Sequence, residues 1–484
     1  MTSEFQSDEE DNVVAKKQKF DSYNCPYLDT IERGILDFDF EKLCSVTLSH
    51  LNVYACLVCG KYFQGRGTGT PAFIHSNEVG HRVFLNLKSL KCYCLPDNYQ
   101  VIDPSLEDIK YVLNPTFTKS HIDELDSSDR LSRTKSNLTY YPGMVGLNNI
   151  KANDYSNVVL QALAGVSNLR DYFLDPSNYE NLQRPLGDTL SILPKRFGEL
   201  IRKLWNPRNF KNHVSPHEML QAIVLCSKKQ FQITKQGDAI EVLVWFLNSL
   251  HQSLNGTKKH KSSIVSKCFR GYMLVCSKKL ISTEVPAEER LKLYELPEYE
   301  EKIEQVPFMY LTLDVPPMPL YRDELEQNVI PQVPLATLLQ KFNGQQEKEY
   351  KTYKDSVVKR FLLTYLPKYL IIYIKRFHKN TFFVEKNKTI VNFSIKSLDM
   401  SEFLSQDPEV QKNNPNRVYD LLANVVHEGE PSANEEKRGS YRIHKLHKGT
   451  GKWFEIQDLH VSEILPQIIT LSQAYIQIYE RRDK

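Results

Sequence analysis

The clearest hydrophobic pattern in the chain follows a polar, turn-rich stretch that begins at Gly146. Apolar residues then recur at the three- and four-residue spacing of a helix that buries one face; they are Val159, Leu160, Leu163, Val166 and Leu169. Asp154 lies just ahead of this pattern. Because an aspartate at an N-cap accepts bonds from free N–H groups of the first turn, we expect Asp154 to cap this helix.

Two further helices are predicted downstream. An apolar stripe that stops before Pro207 is typical of an amphipathic helix, and it consists of Phe197, Leu200, Ile201 and Leu204. Residues 215–218 have the pattern of a capping box with a proline at the first helical position. Apolar residues at helical spacing follow this box, so we expect a helix there.

The last third of the chain has the pattern of β-strands. Residues 369–374 form a short apolar run, and further strands are predicted at residues 441–448, 452–461 and 474–481. Gly449-Thr-Gly451 is expected to form the hairpin turn between the first two of these three. A helical part followed by a β-rich part indicates an α+β fold class.

Composition and charge exclude some classes of protein. The 484 residues include 62 Lys and Arg against 59 Asp and Glu, so no global basic field of the kind that drives non-specific nucleic-acid binding is present. The longest apolar run, residues 369–374, is far too short to span a bilayer. The acidic, polar N-terminus does not have the pattern of a secretory leader. We therefore expect no membrane partner.

Residues 1–21 are predicted to be a disordered tail, because they combine charged runs with few large apolar residues. The basic tetrad Lys16-Lys17-Gln18-Lys19 within it is compatible with a nuclear address or with a solvated tail.

Nine cysteines, six of them before residue 95, indicate a reducing compartment and a metal site rather than a disulfide framework. Cys56 and Cys59 have the spacing of one tight turn, fifteen residues separate them from His75, and five more precede His81. Two thiolates and two imidazoles suit a structural zinc ion, which takes four N or S ligands in a tetrahedron. The sequence therefore predicts one zinc ion held by these four residues.

The residues around these ligands resemble the UBP-type zinc finger, a ubiquitin-tail-binding module that often accompanies ubiquitin-specific proteases. The resemblance spans residues 22–103, with Tyr54 where the family has a tryptophan and Gln64-Gly65-Arg66 where it has a CGR turn. Arg66 could still meet a C-terminal carboxylate. We expect at most weak binding of ubiquitin or a ubiquitin-like protein.

Some members of that finger family bind further zinc ions through a C-x-H and a later C-x-x-C motif. Here Cys25-Pro-Tyr27 and Cys92-Tyr-Cys94 occupy those places. The sequence leaves a second zinc open, and we expect buried free thiols instead at Cys25, Cys44, Cys92 and Cys94.

Residues 146–163 resemble the nucleophile box of the papain-like ubiquitin-specific proteases. The matching residues are Gly146, Leu147, Asn149, Tyr155, Asn157, Leu160, Gln161 and Leu163. Asp154 replaces the nucleophilic cysteine of the family, and Ala152 replaces its oxyanion-hole asparagine. An aspartate suits the positive end of the helix dipole as a thiolate does, but it is a far poorer nucleophile toward an amide.

The other two chemical positions of the family are replaced as well. Ser440 stands where the G-H-Y box has its general-base histidine, and Gln457 stands where W-x-x-F-D-D has its first aspartate. Serine cannot accept a proton at neutral pH, and glutamine carries no charge to stabilise an imidazolium. On an extended strand, His444 and His447 lie too far from Ser440 to replace it. The resemblance therefore implies a protease fold without catalytic residues.

The resemblance also divides the chain. A linker with helical segments is expected at residues 104–139, and the papain-like domain at 140–484. Residues 262–350 correspond to the extended fingers of the family; they lack its two C-x-x-C pairs, so we expect no metal there.

The whole combination is similar to one branch of this family, the tri-snRNP-associated, protease-dead homologues that act in pre-mRNA splicing. The match includes residues 25–31, 205–210 and 439–444. It implies a nuclear, non-catalytic scaffold that binds tri-snRNP proteins, with RNA contacted only indirectly or within the ribonucleoprotein. The alternatives are a free ubiquitin receptor and an unconventional deubiquitinase.

Overall fold

The computed structural model describes most of the chain, namely residues 25–185, 187–281, 286, 292–294, 296–317, 331–351, 356–379, 384–429 and 439–483. The chain divides into two compact units. Unit 1 comprises Met1–Pro115, Arg133–Leu138 and Arg208–Lys211, and unit 2 comprises Thr116–Ser132, Thr139–Pro207 and Asn212–Lys484. The predicted tail 1–21, with its basic tetrad, lies outside the described residues.

Unit 1 is built on a five-stranded antiparallel sheet with strand order β2-β1-β3-β4-β5. Its strands are β1 (Val53–Cys56), β2 (Tyr62–Gln64), β3 (Val83–Asn86), β4 (Cys92–Cys94) and β5 (Tyr99–Val101), and its helices are α1 (Pro71–Val79) and α2 (Glu107–Leu113). Leu106, Ile109 and Leu113 are buried in the core of this unit. Because these three side chains pack there, the first part of the predicted linker belongs to unit 1, whereas the next helix belongs to unit 2.

Unit 2 contains ten of the described helices. They are α3 (Lys119–Glu124), α4 (Asp154–Ala164), α5 (Ser167–Leu174), α6 (Ile192–Leu204), α7 (His217–Cys226), α8 (Ala239–Ser253), α9 (Ile264–Phe269), α10 (Leu335–Leu339), α11 (Pro408–Asn413) and α12 (Pro466–Thr470). Every residue of α4 is buried, which makes this helix the centre of the larger hydrophobic core.

The strands that follow unit 1 complete the fold. They are β6 (Ser132–Arg133), β7 (Thr139–Tyr140), β8 (Gly146–Leu147), β9 (His213–Val214), β10 (Gly271–Leu280), β11 (Lys302–Phe308), β12 (Leu311–Asp314), β13 (Gln332–Pro334), β14 (Lys348–Lys351), β15 (Ser356–Tyr365), β16 (Tyr369–Lys375), β17 (Phe377–Lys379), β18 (Val384–Lys386), β19 (Ile390–Asn392), β20 (Leu398–Asp399), β21 (Val418–Glu428), β22 (Ser440–His447), β23 (Lys452–Gln457), β24 (His460–Ile464) and β25 (Ala474–Arg481). One large sheet has the order β12-β16-β25-β21-β22-β23-β24, with β20 paired to β21, and a separate antiparallel sheet has the order β11-β10-β15-β14.

The α+β fold class is confirmed, and most of the predicted elements form. The apolar run at 369–374 is the buried strand β16, and β25 has the predicted bounds. The single strand predicted at 452–461 is wrong: it is two strands, β23 and β24, because the chain reverses at Asp458, whose φ is +50°.

The predicted start of helix α7 is wrong by one position. The helix begins at His217 with Pro216 at the N-cap, so the proline is not the first helical residue. The hydroxyl of Ser215 accepts a 3.3 Å hydrogen bond from the side-chain amide of Asn148. In the part of the chain that the structure describes, no helix is both long and apolar enough to cross a membrane.

Candidate metal centre and degenerate catalytic site

The four predicted metal ligands converge in unit 1. Cys56 ends β1, Cys59 lies in the following turn, His75 lies on α1 and His81 comes just after it. Their ligand atoms all lie within 4.8 Å of one another. The sulfur of Cys56 lies 3.5 Å from Nδ1 of His81, and the sulfur of Cys59 lies 3.5 Å from Nε2 of His75. Such separations suit ligands placed about 2.0–2.3 Å from one tetrahedral zinc ion.

Two glycines shape the backbone around these ligands. Gly60 has φ +72° and its N–H donates to the carbonyl oxygen of Cys56 at 2.9 Å, which closes the turn that carries Cys59. Gly80 ends α1 with φ +80° in the left-handed conformation. Glycine adopts this conformation without steric cost, so the helix stops abruptly and the chain brings His81 back toward the cluster.

The electrostatics of the cluster suit a bound cation. Burial raises the pKa of the Cys56 thiol to about 12, so a positive charge is needed to hold it as a thiolate. Burial, with a smaller effect of His81, lowers the pKa of His75 and favours the neutral imidazole that binds metal. The ring of Phe63 stacks on His75 with centroids 4.2 Å apart and fixes its orientation. The residues present therefore fit a zinc ion with no open coordination position.

The four other cysteines of unit 1 are all buried and free in the structure; they are Cys25, Cys44, Cys92 and Cys94. The sulfur of Cys44 accepts hydrogen bonds from the backbone N–H groups of Val46, Thr47 and Gln64.

Arg66, the residue that could meet a carboxylate, already has partners in unit 1. Its guanidinium donates to the side-chain oxygen of Asn98 at 2.6 Å and lies over the ring of Tyr93, 4.4 Å from the centroid. Tyr54 is buried, with its ring edge-to-face against Tyr93 at 6.1 Å. Tyr54 and Arg66 therefore both pack against Tyr93 within unit 1.

The degenerate site of unit 2 begins at the N-terminus of α4. The predicted cap at Asp154 is wrong by one position, since Asn153 occupies the N-cap and Asp154 is the first helical residue. Asn153 takes that place because its side-chain oxygen closes the preceding turn, accepting from the N–H groups of Ile150 at 2.8 Å and Lys151 at 3.4 Å.

The carboxylate of Asp154 joins three segments of unit 2. It accepts a 3.0 Å hydrogen bond from the N–H of Tyr441, the residue after Ser440, and contacts the side-chain amide of Gln236 at 3.3 Å. The same amide donates to the carbonyl oxygen of Gly439 at 2.8 Å. No local sequence pattern indicates this bridge, because Asp154 and Gln236 are 82 positions apart.

The two residues expected at the positions of the base and of its orienting residue are in contact. The amide of Gln457, at the end of β23, donates to the hydroxyl of Ser440, at the start of β22, at 3.2 Å. The structure thus brings Asp154, Ser440 and Gln457 together. The N–H of Ala152 donates to the carbonyl oxygen of Ile233 at 3.1 Å, and its methyl side chain offers no hydrogen-bond donor.

Two carboxylates near this site are ionised less readily than usual. Burial, opposed by bonds from Tyr441 and Tyr155 and reinforced by the charge of Asp458, raises the pKa of Asp154. Burial also raises the pKa of Asp458, which accepts from the amide of Asn149 at 3.1 Å. A carboxylate here holds the surrounding backbone and amide groups, and it offers none of the reactivity of a thiolate.

His427 is an imidazole that the sequence did not place near this site. Its ring lies 4.8 Å from that of Tyr441, across the β21–β22 pair. Burial and the charge of Lys386 lower its pKa to about 4. His444 contacts Asn424 and Glu455 instead of the degenerate positions. The carboxylate of Asp154 and the hydroxyl of Ser440 thus each accept a hydrogen bond from a neighbouring group of unit 2.

A Cys/His zinc-finger module followed by a papain-like domain is the domain arrangement of some ubiquitin-specific proteases. The family model "Ubiquitin carboxyl-terminal hydrolase" matches residues 145–479, and the model "Zn-finger in ubiquitin-hydrolases and other protein" matches residues 43–106. The chain therefore belongs to the ubiquitin carboxyl-terminal hydrolase family, in the arrangement with an N-terminal zinc-finger module.

Individual relatives place the chain more closely within this family. It is 62% identical to "Ubiquitin carboxyl-terminal hydrolase 39" of Homo sapiens, over 99% of this chain and 84% of that protein. It is 44% identical to "Probable mRNA-splicing protein ubp10" of Schizosaccharomyces pombe, over 94% of this chain and 88% of that protein. Its fold is similar to the structure titled "Crystal structure of an essential yeast splicing factor", with TM-score 0.72 and 30% identity over 94% of this chain and 100% of that one.

Proposed function

We propose that this chain is a nuclear, non-catalytic splicing factor that acts as a tri-snRNP component or assembly factor. Near full-length similarity to a splicing protein of Schizosaccharomyces pombe and to a yeast splicing factor supports the splicing role. The observation that carries the non-catalytic role is the Asp154 carboxylate, which accepts from Tyr441 N–H where the protease family has its nucleophile.

We further propose that unit 1 holds one zinc ion through Cys56, Cys59, His75 and His81. The convergence of two sulfurs and two ring nitrogens supports this set. Zinc would supply folding energy rather than chemistry, because a closed four-ligand site leaves no position for water or substrate.

A depletion and rescue experiment in nuclear extract tests the splicing role. Extract depleted of the endogenous homologue should regain pre-mRNA splicing when the full chain is added, and the tagged chain should recover tri-snRNP proteins and RNAs. Recovery of free ubiquitin without ribonucleoprotein would instead identify a ubiquitin receptor.

A matched variant separates scaffolding from catalysis in the same extract. Ser440→Ala with Gln457→Ala removes the 3.2 Å hydrogen bond between these two side chains and leaves the Asp154–Tyr441 bond in place. A scaffold should rescue splicing as well with this double variant as without it. Loss of rescue by a folded, tri-snRNP-bound double variant would contradict the non-catalytic assignment.

A further inference from the structure

One face of unit 2 concentrates positive charge in a chain that is nearly neutral overall. Residues 242–281 contain seven Lys and Arg residues and no Asp or Glu, although the whole chain has a formal net charge of only +3. The paired strand β15 and the residues after it, 356–375, contain four more and again no acidic residue. Five of these cations, Lys258, Lys259, Lys261, Lys267 and Arg270, come just before β10, next to the end of the strand pair where Tyr272 lies opposite Tyr365.

A short loop at this root, residues 257–262, is held rigidly by buried groups. The guanidinium of Arg270 donates to the carbonyl oxygens of Thr257, Lys258 and Lys259 at 3.1–3.3 Å. The same guanidinium contacts Nε2 of His251 at 3.1 Å, and both residues are buried. Because Arg270 holds the backbone of the loop, ordering the loop on binding should cost little conformational entropy.

Three aromatic rings meet beside the lysines of this loop. The centroid of His260 lies 5.6 Å from that of Tyr272 on β10 and 5.0 Å from that of Tyr365 on β15. The two tyrosine rings are 6.2 Å apart, so the three form one cluster. His260 is exposed, and both tyrosines are half-buried. Partial burial and the nearby Lys261 and Arg270 lower the pKa of His260, which keeps this ring neutral at neutral pH.

The cations around the rings are available to a ligand. Lys258, Lys259, Lys261 and Lys267 are exposed, and none of them forms an ion pair with another described residue. Farther out on the same sheet the charges are mixed, since Arg360 pairs with Glu301. Four exposed lysines without an ion pair in the described part of the chain therefore lie on and beside the loop that carries His260.

We propose that this surface, formed by residues 257–261, Lys267, Tyr272 and Tyr365, binds single-stranded RNA directly. Lysines track a phosphate backbone, and exposed aromatic rings stack on bases whatever their sequence. An acidic protein segment would use the lysines, but it would have no need of three clustered rings. The inference goes beyond the proposed scaffold role, in which RNA is contacted only through the ribonucleoprotein, and it holds whether or not that role is correct.

Fluorescence anisotropy with the full chain and a labelled 15-nucleotide oligouridine tests this proposal. We expect micromolar binding that weakens steeply with salt, since released counterions drive phosphate contacts. Changing Lys258, Lys259 and Lys261 to Glu should weaken binding at least about tenfold. His260→Ala should weaken it about fivefold or more, because each stacked base contributes roughly 1–3 kcal/mol.

The adjacent exposed pair Lys228 and Lys229 provides the matched control on the same unit. Changing both to Glu alters the net charge by two-thirds as much as the triple change, and it should change RNA affinity less than about twofold. Equal losses in the control, absence of binding by the unmodified chain, or full retention of affinity by His260→Ala would each overturn the proposal. An unlabelled polyglutamate that competes as well as RNA would show a simple polyanion site and also overturn it.

Discussion

The carboxylate of Asp154 accepts a 3.0 Å hydrogen bond from the backbone N–H of Tyr441, 287 residues away in the sequence. In an active member of this family the corresponding side chains would be a cysteine and, one residue earlier on the strand, a histidine. Here helix α4 supplies the carboxylate of Asp154, and strand β22 supplies the backbone N–H of Tyr441. This hydrogen bond connects the helical and β parts of unit 2.

Loss of this bond should destabilise unit 2. Asp154→Ala leaves the buried N–H of Tyr441 without its acceptor, and we expect a loss of about 1–3 kcal/mol in the free energy of unfolding, measured by urea denaturation. Asp154→Asn retains an acceptor oxygen and removes a charge that burial disfavours. The asparagine variant should therefore be the more stable of the two; equal losses would show that the hydrogen bond does not matter.

Removal of a metal ligand should release zinc and unfold unit 1. In Cys59→Ser the remaining sulfur and two imidazoles no longer close a tetrahedral site, so metal analysis of the purified chain should fall from about one zinc to near zero. Cys276→Ser is the control, because Cys276 lies on β10 of unit 2. Zinc retained at full occupancy in Cys59→Ser would show that the ligand set is wrong.

The finger should bind a free ubiquitin C-terminus weakly or not at all. Arg66 is already held by Asn98 and lies over Tyr93, so a peptide carboxylate would have to displace both contacts. Calorimetry with ubiquitin should give no low-micromolar dissociation constant. A low-micromolar constant that disappears with Arg66→Ala would demonstrate an intact tail-binding pocket.

A buried lysine should make the stability of unit 2 depend on pH. Lys445 is fully buried, its ammonium donates to the carbonyl oxygen of Gly143 at 3.0 Å, and burial together with Arg170 lowers its pKa to about 7. The pKa of a lysine in the unfolded chain is about 10.4. Well above that pH the lysine is neutral in both the folded and the unfolded state, so burying it does not reduce the free energy of unfolding through its charge. The cost of burying the charge grows as the pH falls from about 10.4 to about 7, and it is complete below 7.

Replacing this lysine by an apolar residue should therefore increase the stability of unit 2 most at low pH. Lys445→Met should raise the free energy of unfolding relative to the unmodified chain, and the gain should be larger at about pH 6.5 than at about pH 10. The exposed Lys412→Met is the control and should show little pH dependence. A gain for Lys445→Met that is constant across this range would show that the native lysine is protonated throughout.

Local spacing explains which parts of this molecule the sequence could predict. The apolar period that begins at Val159 located the second half of α4 but missed the break at Gly165, since Val166 caps the next helix and Leu169 lies in it. The spacing of Cys56, Cys59, His75 and His81 identified a group that the structure brings within 4.8 Å. Each of these signals lies within one element or two adjacent ones. Resemblance to the protease family then placed Asp154, Ser440 and Gln457 in one site, which no periodicity indicates.

The contacts that the sequence did not reveal are long-range or depend on backbone conformation. The bridge from Gln236 to Gly439 joins residues 203 positions apart. The reversal at Asp458 requires a positive φ at a residue type that only sometimes adopts it. The aromatic cluster of the proposed RNA surface likewise forms only because β10 pairs with β15, which brings Tyr272 beside Tyr365.

Restoring one catalytic residue should not restore hydrolysis. In Asp154→Cys the positive end of α4 would lower the pKa of the new thiol. That thiol would still face Ser440, which cannot act as the base, and Ala152 would leave the oxyanion without one donor, a loss of about 3–4 kcal/mol. Because catalytic groups act as a unit, the single variant should release no measurable fluorophore from the C-terminus of labelled ubiquitin.

Turnover requires all four family residues to be restored together. The variant that does so combines Ala152→Asn, Asp154→Cys, Ser440→His and Gln457→Asp. The 3.2 Å contact between Gln457 and Ser440 shows that side chains at these two positions already reach each other, as a histidine and its orienting carboxylate must. The fourfold variant should therefore exceed Asp154→Cys in the same assay if ubiquitin still binds the domain. The unmodified chain should show no turnover; activity that purifies with it and disappears with Asp154→Ala would overturn its assignment as a pseudoenzyme.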